Sequence, residues 1–299
     1  MTEIALTLVQ ARLLDGLLAG GAPTVAECAA RLGWPAVPLP EGVAGLPVTR
    51  FHLGSEFCET LLPTEIQLRQ AVAAVGAAGL GVALATPVLS VAGMEALAGL
   101  LPHLPPGTEV IANDWGCVGL LRESRPDLVP VAGRLLCKMV KDPRLPSAEW
   151  TRLYPHGIHS GPFGAVLARM GVERIEMDAP PFARMEDFRS GRVRVSVHAP
   201  YGFSVKGRAC RIGSLSAEPG DKFVSGQECR RECLIYVGTL SRGEAGDGDG
   251  TDLVTYQRGN TLFYRHSPAM TAAVDAAMAK GWIDRLILNG DWNENRRAH

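Results

Sequence analysis

Residues 81–132, GVALATPVLSVAGMEALAGLLPHLPPGTEVIANDWGCVGLLRESRPDLVPVA, alternate between two kinds of pattern. Residues 81–85 form a short apolar run, the length of a buried strand. Helical spacing takes over at 91–102, a second strand fits 108–113, a second helix 115–124 and a third strand 128–132. This order is that of parallel strands joined by crossover helices. The first part of the stretch, Leu80–Leu101, is apolar enough to raise a membrane helix, but Pro87 and Glu95 interrupt it. Strand, loop and helix explain it better.

The same rhythm extends in both directions. Residues 3–9 read as a strand, and 24–34 as a helix that begins with a capping box, Thr24 with Glu27. A second strand fits 46–54, a helix 63–79, a further helix 161–170 and a strand 173–177. Short, numerous units favour a barrel over a dinucleotide-binding fold, and no G-x-G-x-x-G or Walker A motif is present. Beyond Gly191 the pattern changes. Residues 192–199 alternate like a strand, and a cysteine-bearing segment rich in Gly, Ser and charge follows. Then come a strand at 261–266, a helix at 267–281 with Ser267 as N-cap and Pro268 at its first position, and a strand at 283–288. The fold class expected is α/β: a (β/α) barrel-like parallel fold, residues 1–190, with a C-terminal cysteine-bearing extension, 191–299, completing the same domain.

Composition narrows function. A formal net charge of −1 supplies no global field for nucleic acid. A modest basic patch remains, since residues 204–242 carry seven Lys or Arg against four acids. The N-terminus lacks the basic start of a signal peptide, so a cytoplasmic location is the expectation. Seven cysteines in such a chain favour metal or redox use over disulfides. The acidic, Gly-rich residues 243–252 miss the EF-hand pattern, because no Glu closes the loop.

Three cysteines fall in GRACRIGSLSAEPGDKFVSGQECRRECLIY, residues 207–236. Cys229 and Cys233 can share one side of a helical turn, and Cys210 lies eighteen intervening residues upstream. Three such thiolates suit an iron–sulfur cluster or zinc. The ordinary zinc-ribbon pattern fails for want of a second close pair. Buried cysteines acting as small apolar residues are the plain alternative, but Arg208, Arg211, Arg230, Arg231, Glu228 and Glu232 make poor core.

The run VHAPYGFSVKGRACRIGSL…SGQECRRECLIY resembles the collagenase-like peptidase family of unknown catalytic type, family U number thirty-two. The matching positions are His198, Ser204, Gly207, Arg208, Cys210, Gly226, Cys229, Cys233 and Tyr236. FHLGSEFCE, 51–59, and ANDWG, 112–116, are similar to the UbiV-like branch, whereas GRLLCKMVKDPRLP, 133–146, departs from it. The resemblance implies a [4Fe–4S] cluster on Cys58, Cys210, Cys229 and Cys233. It implies oxygen-independent hydroxylation of a ubiquinone-type aromatic precursor, a UbiU-like sister protein as partner in a heterodimer, and prephenate as hydroxyl donor. Other family members hydroxylate RNA bases. A protease, as the family label says, lacks support from any H-E-x-x-H or G-x-S-x-G motif. A non-catalytic iron–sulfur scaffold for a sister chain is the main rival.

Strand ends supply the substrate-facing candidates, as they do in barrels. Asn113 and Asp114 are catalytic candidates or the N-cap of the next helix. His198 and Tyr201 are catalytic candidates, or, for His198, a satisfied core residue. Arg134 and Lys138 could bind an anionic donor or form a solvated basic loop. Cys28 and Cys117 are expected to be packed, and Cys137, in a basic loop, partly exposed.

Overall fold

The computed structural model describes residues 2–153, 157–222, 229–240 and 253–292. The acidic segment 243–252 and Gly226 of the cysteine signature lie outside these residues. Eight strands form a closed, all-parallel barrel: β1 (Glu3–Leu8), β2 (Arg50–Gly54), β3 (Gly81–Ala85), β4 (Glu109–Ala112), β5 (Val129–Ala132), β6 (Arg174–Asp178), β7 (Arg194–Ala199) and β12 (Arg285–Asn289). The last strand closes against the first, Ala5 pairing with Ile287. Between β7 and β12 the chain inserts an antiparallel sheet of order β8-β11-β10-β9: β8 (Tyr201–Lys206), β9 (Gly238–Leu240), β10 (Thr255–Arg258) and β11 (Thr261–Arg265).

Helices fill the connections: α1 (Leu14–Leu18), α2 (Val25–Leu32), α3 (Glu65–Ala77), α4 (Val91–Leu100), α5 (Trp115–Ser124), α6 (Ala148–Leu153), α7 (Gly161–Arg169) and α8 (Pro268–Ala279). Local chemistry explains their starts. Thr24 and Thr64 close capping boxes with Glu27 and Gln67, while Ser90, Asp114, Ser160 and Ser267 accept from the first-turn backbone. The α4 helix stops at Leu100, short of the expected 102, because a 3₁₀ turn containing Pro102 takes over. The second strand starts at Arg50 rather than Leu46. Its expected first residues bond the turn before α2 instead, Val25 N donating to Leu46 O at 3.0 Å and Val48 N to Pro23 O at 2.8 Å.

Strand side chains sort by the period of two. Leu6, Phe51, Leu84, Val110, Ile175, Val197 and Leu288 belong to the helix-side core. The alternate set faces the barrel axis and is unusual in its charge. At the amino-terminal end Arg285 donates to Glu109 at 2.6 and 3.0 Å and to Glu3 at 2.6 Å, and Arg50 reaches Glu3 at 2.9 Å. Ala83, Ala85, Ile111 and Val131 form a small apolar layer of their own. Towards the carboxyl ends His52, Glu176, Asp178 and His198 are all buried. No described helix is long and apolar enough to cross a membrane.

One glycine is required where β2 hands over to the loop carrying Cys58. Gly54 has φ +104°, and a Cβ there would sit 2.5 Å from the Ala85 carbonyl oxygen. Gly54→Ala is therefore expected to cost about 2–4 kcal/mol, combining backbone strain with a clash against a neighbouring strand. Urea unfolding measures it.

Candidate active site at the carboxyl-terminal mouth of the barrel

A cavity of about 530 Å³ opens at the carboxyl ends of the barrel strands, between the barrel and the inserted sheet. That is the face on which barrel enzymes carry their chemistry, and the size suits a small organic molecule. Its floor includes His52, Glu56, Arg134, Glu176 and His198; its outer wall includes all four of Cys58, Cys210, Cys229 and Cys233. Phe57, Leu61, Leu89 and Phe263 add apolar surface between them.

The cysteines arrive from separate elements. Cys58 caps a 3₁₀ turn after β2, Cys210 follows β8, and Cys229 and Cys233 precede β9. The β10–β11 hairpin backs them. Its Asn260 donates to Phe57 O at 2.9 Å, and Arg258 donates to Cys233 O at 3.2 Å. Gly259, at φ +58°, packs closely on this segment: a Cβ on it would lie 3.3 Å from Cys233 Cβ and 3.6 Å from Cys233 Sγ. Several donors face sulfur. Thr60 Oγ1 stands 3.0 Å from Cys58 Sγ and donates to Cys229 Sγ at 3.7 Å. Gly213 N donates to Cys210 Sγ at 3.2 Å and Arg231 N to Cys229 Sγ at 3.4 Å. No three of the cysteine sulfurs lie within 4.8 Å of one another. A single zinc, with bonds near 2.3 Å, would draw its thiolates to about 3.8 Å. Polynuclear clusters interpose their own iron and sulfide and hold thiolates farther apart. Burial pushes the Cys233 thiol up to about 12 and raises Cys210 as well.

A charged knot lies at and behind the floor, with Lys141 and Asp178 outside the cavity lining. Arg134, at the end of β5, donates to both oxygens of Glu56, at 3.0 and 2.5 Å, and to Asp178 Oδ1 at 2.7 Å. Lys141 donates to Asp178 Oδ2 at 2.5 Å and lies 3.2 Å from the centre of the Phe203 ring. Burial lowers the Lys141 pKa to about 8, with Asp178 opposing the shift. Burial would raise Asp178, but Lys141 and Arg134 win and hold it low. Beside this knot, His198 Nε2 meets Glu176 Oε2 at 2.9 Å, and His52 Nδ1 lies 3.5 Å from Glu176 Oε1. Burial, reinforced by Glu56, pushes Glu176 well up; burial, reinforced by Arg134, pushes His198 well down. Such a pair can share a proton or ligate a cation.

Of the residues singled out in the sequence, the structure brings Arg134, His198 and the four cysteines to this cavity. It does not bring Asn113, Asp114, Tyr201 or Lys138. Asn113 is a brace, donating to Thr86 O at 2.8 Å and accepting from Leu135 N at 2.9 Å. Asp114 caps α5 through Cys117 N and also accepts from Leu89 N. Tyr201 stacks on Trp292 with ring centres 4.3 Å apart. Lys138 is exposed, and Lys141, three residues on, takes the buried position instead. Cys137 is not partly exposed: it is 1 % accessible, its thiol facing Ala132 O. Cys28 and Cys117 are packed as expected.

Sequence reasoning missed His52, Glu56, Lys141, Glu176 and Asp178. The signal for two of them was present in RIEMD, where Ile175 and Met177 alternate with Arg174, Glu176 and Asp178. In a closed barrel the charged face can only point inward. The contrast between the two basic residues is testable. Arg134→Leu leaves Glu56 without its partner and is expected to cost about 3–5 kcal/mol. Lys138→Ala is expected to stay within about 0.5 kcal/mol. Denaturant unfolding of both variants checks the pair.

No protein-family model matches the chain, and no curated protein matches it. Among solved structures it is similar to the U32 peptidase Mk0906, at 14% identity over 66% of this chain and 68% of that one, with a TM-score of 0.36. It is also similar to PhdJ bound to a substrate intermediate, at 17% identity over 66% of this chain and 60% of that one, TM-score 0.35. A third likeness is to a glycoside hydrolase family 18 N-acetylglucosaminidase from Paenibacillus barengoltzii, at 11% identity over 99% of this chain and 97% of that one, TM-score 0.33. Likenesses this low carry no argument about activity.

Proposed function

We propose that Cys58, Cys210, Cys229 and Cys233 hold a [4Fe–4S] cluster, and that the chain is a subunit of an oxygen-independent hydroxylase acting on a ubiquinone-type aromatic precursor. The observation that carries the reading is the cavity wall: four cysteines from distant parts of the sequence line one side of a single cavity. One further feature supports metal-bound thiolates at this wall. Hydroxyl and amide donors already face Cys58, Cys210 and Cys229, as donors do around cluster thiolates.

When bound, the cluster would supply one-electron chemistry at the outer wall. The chain's own residues would do the rest. Phe57, Leu61, Leu89 and Phe263 offer apolar surface to an aromatic ring and reduce access of water. Arg208 and Lys206 border the same cavity and suit a carboxylate-bearing hydroxyl donor such as prephenate, whereas Arg258 is engaged by Asp291 and Cys233 O. The charges of Arg134 and Lys141 are matched by Glu56 and Asp178, so their task in this reading is to hold the floor rigid. A UbiU-like sister protein completes the proposed heterodimer.

A second reading rests on a specific observation. Four cysteines line the cavity, and were each to bind one iron of a four-iron cluster no coordination position would stay open, which suits a non-catalytic iron–sulfur scaffold that activates a sister chain. The two readings part in one experiment. Protein purified without oxygen is expected to contain about four irons and four sulfides per chain, with broad absorption near roughly 400 nm. Cys58→Ala should lose both. Stoichiometric zinc, or a stable fold with neither metal, overturns both readings. With the cluster present, product formed from substrate bound to this chain favours the hydroxylase. Activity that survives blocking this chain's cavity while requiring its cluster favours the scaffold.

A further inference from the structure

The cavity floor holds a second group of ligand-type atoms with no thiol in it. Atoms of Glu56, Glu176 and His198 lie within 4.8 Å of one another, and all three residues are buried. His198 Nε2 is 2.9 Å from Glu176 Oε2 and 3.9 Å from Glu56 Oε1. Donors on one ion with bonds near 2.1 Å stand about 3 Å apart when adjacent and about 4 Å when opposite. Both separations therefore fit one shared ion.

Glu176 supplies the independent observation. It is 0 % exposed, and its Oε1 has no hydrogen-bond partner. Among the described residues its ion-pair contacts are His52 and His198, with no Lys or Arg. A buried carboxylate is ordinarily matched by a cation or a metal. Its neighbours differ in this respect: Glu56 and Asp178 are matched by Arg134 and Lys141. Glu56 is not thereby removed as a ligand, because each of its oxygens accepts one guanidinium N–H and keeps a second lone pair. His52, 1 % exposed and lining the cavity, has an unpartnered Nε2 while its Nδ1 faces Glu176 Oε1. At 3.5 Å it makes no hydrogen bond to that oxygen, and it stands behind the carboxylate where outer-sphere groups stand around metals.

We propose that Glu56, Glu176 and His198 form a mononuclear site for a divalent first-row transition ion, open to the cavity and separate from the four cysteines. Two carboxylates with one imidazole suit Mn²⁺ or Fe²⁺; an imidazole donor in a closed floor disfavours Mg²⁺, which keeps oxygen ligands and several waters. The site faces the same cavity as the cysteines, so a ligand there would meet the ion at one end and the cysteine wall at the other. The proposal does not depend on what the cysteines hold.

The test is a Mn²⁺ titration of the anaerobically purified full chain after mild chelation, read by the loss of the free-ion electron paramagnetic resonance signal. The expected result is one saturable Mn²⁺ per chain, displaced by Fe²⁺ or Zn²⁺ but not by equal Mg²⁺. Glu176→Gln and His198→Ala should each weaken it at least tenfold, and Cys58→Ala should leave it within twofold. The variants are needed because the acidic residues 243–252 offer carboxylates of their own. Absence of a saturable site in the wild type overturns the proposal whatever the variants do. Equal binding in wild type and in either floor variant that folds, by circular dichroism, also overturns it.

Discussion

Everything at the mouth of the barrel is referred to one buried guanidinium. Arg134 has no exposed surface and bonds Glu56 and Asp178 at once. It thereby ties the end of β5 to the end of β6 and to the loop that follows β2. That loop carries Cys58 two residues beyond Glu56. Phe203 N reaches Asp178 as well, at 3.4 Å, so the first strand of the inserted sheet is tied to the same knot. Burying such a pair is not in itself stabilising, but removing one partner is costly. Its value lies in fixing geometry: the loop bearing one cysteine and the sheet bearing the others are held to a common point.

The architecture divides labour between two parts of the chain. The barrel supplies a floor of charged and imidazole groups, and the insertion between β7 and β12 supplies most of the cysteine wall. The axis of the barrel is charged at both ends, closed below by the Arg285–Glu109–Glu3–Arg50 network. The apolar driving force comes instead from the helix-side faces of the strands, where Leu6, Phe51, Val110, Ile175 and Leu288 meet the surrounding helices. A barrel built this way can afford a polar interior, because its stability rests on the outer layer.

Much of this was legible in the residues. Short apolar runs, helical spacing and the caps Thr24 and Ser267 located the barrel strands and most of the helices, because those signals are local. The cysteine set was legible from spacing for three members and from resemblance for Cys58. What failed to show was whatever depends on three-dimensional closure. Asn113 and Asp114 sit at a strand end, as catalytic residues do, yet their polar atoms are taken by Thr86, Leu135, Leu89 and Cys117. Lys138 and Lys141 are indistinguishable in sequence, and only the turn after β5 decides which one is buried against Asp178 behind the floor. Glu176 and Asp178 hide in a strand whose outer face is apolar. Strands β8, β9 and β10 were missed because their partners lie in one another rather than in a repeated helix–strand unit.

The central claim is that the four cysteines hold iron at the outer wall of this cavity. Anomalous diffraction at the iron edge, from crystals grown without oxygen, tests it most directly. The account predicts one compact group of iron atoms between Cys58, Cys210, Cys229 and Cys233, facing His198 and Glu176 across the cavity. A map with no iron between those four sulfurs, or with iron bound elsewhere on the chain and none there, would contradict it.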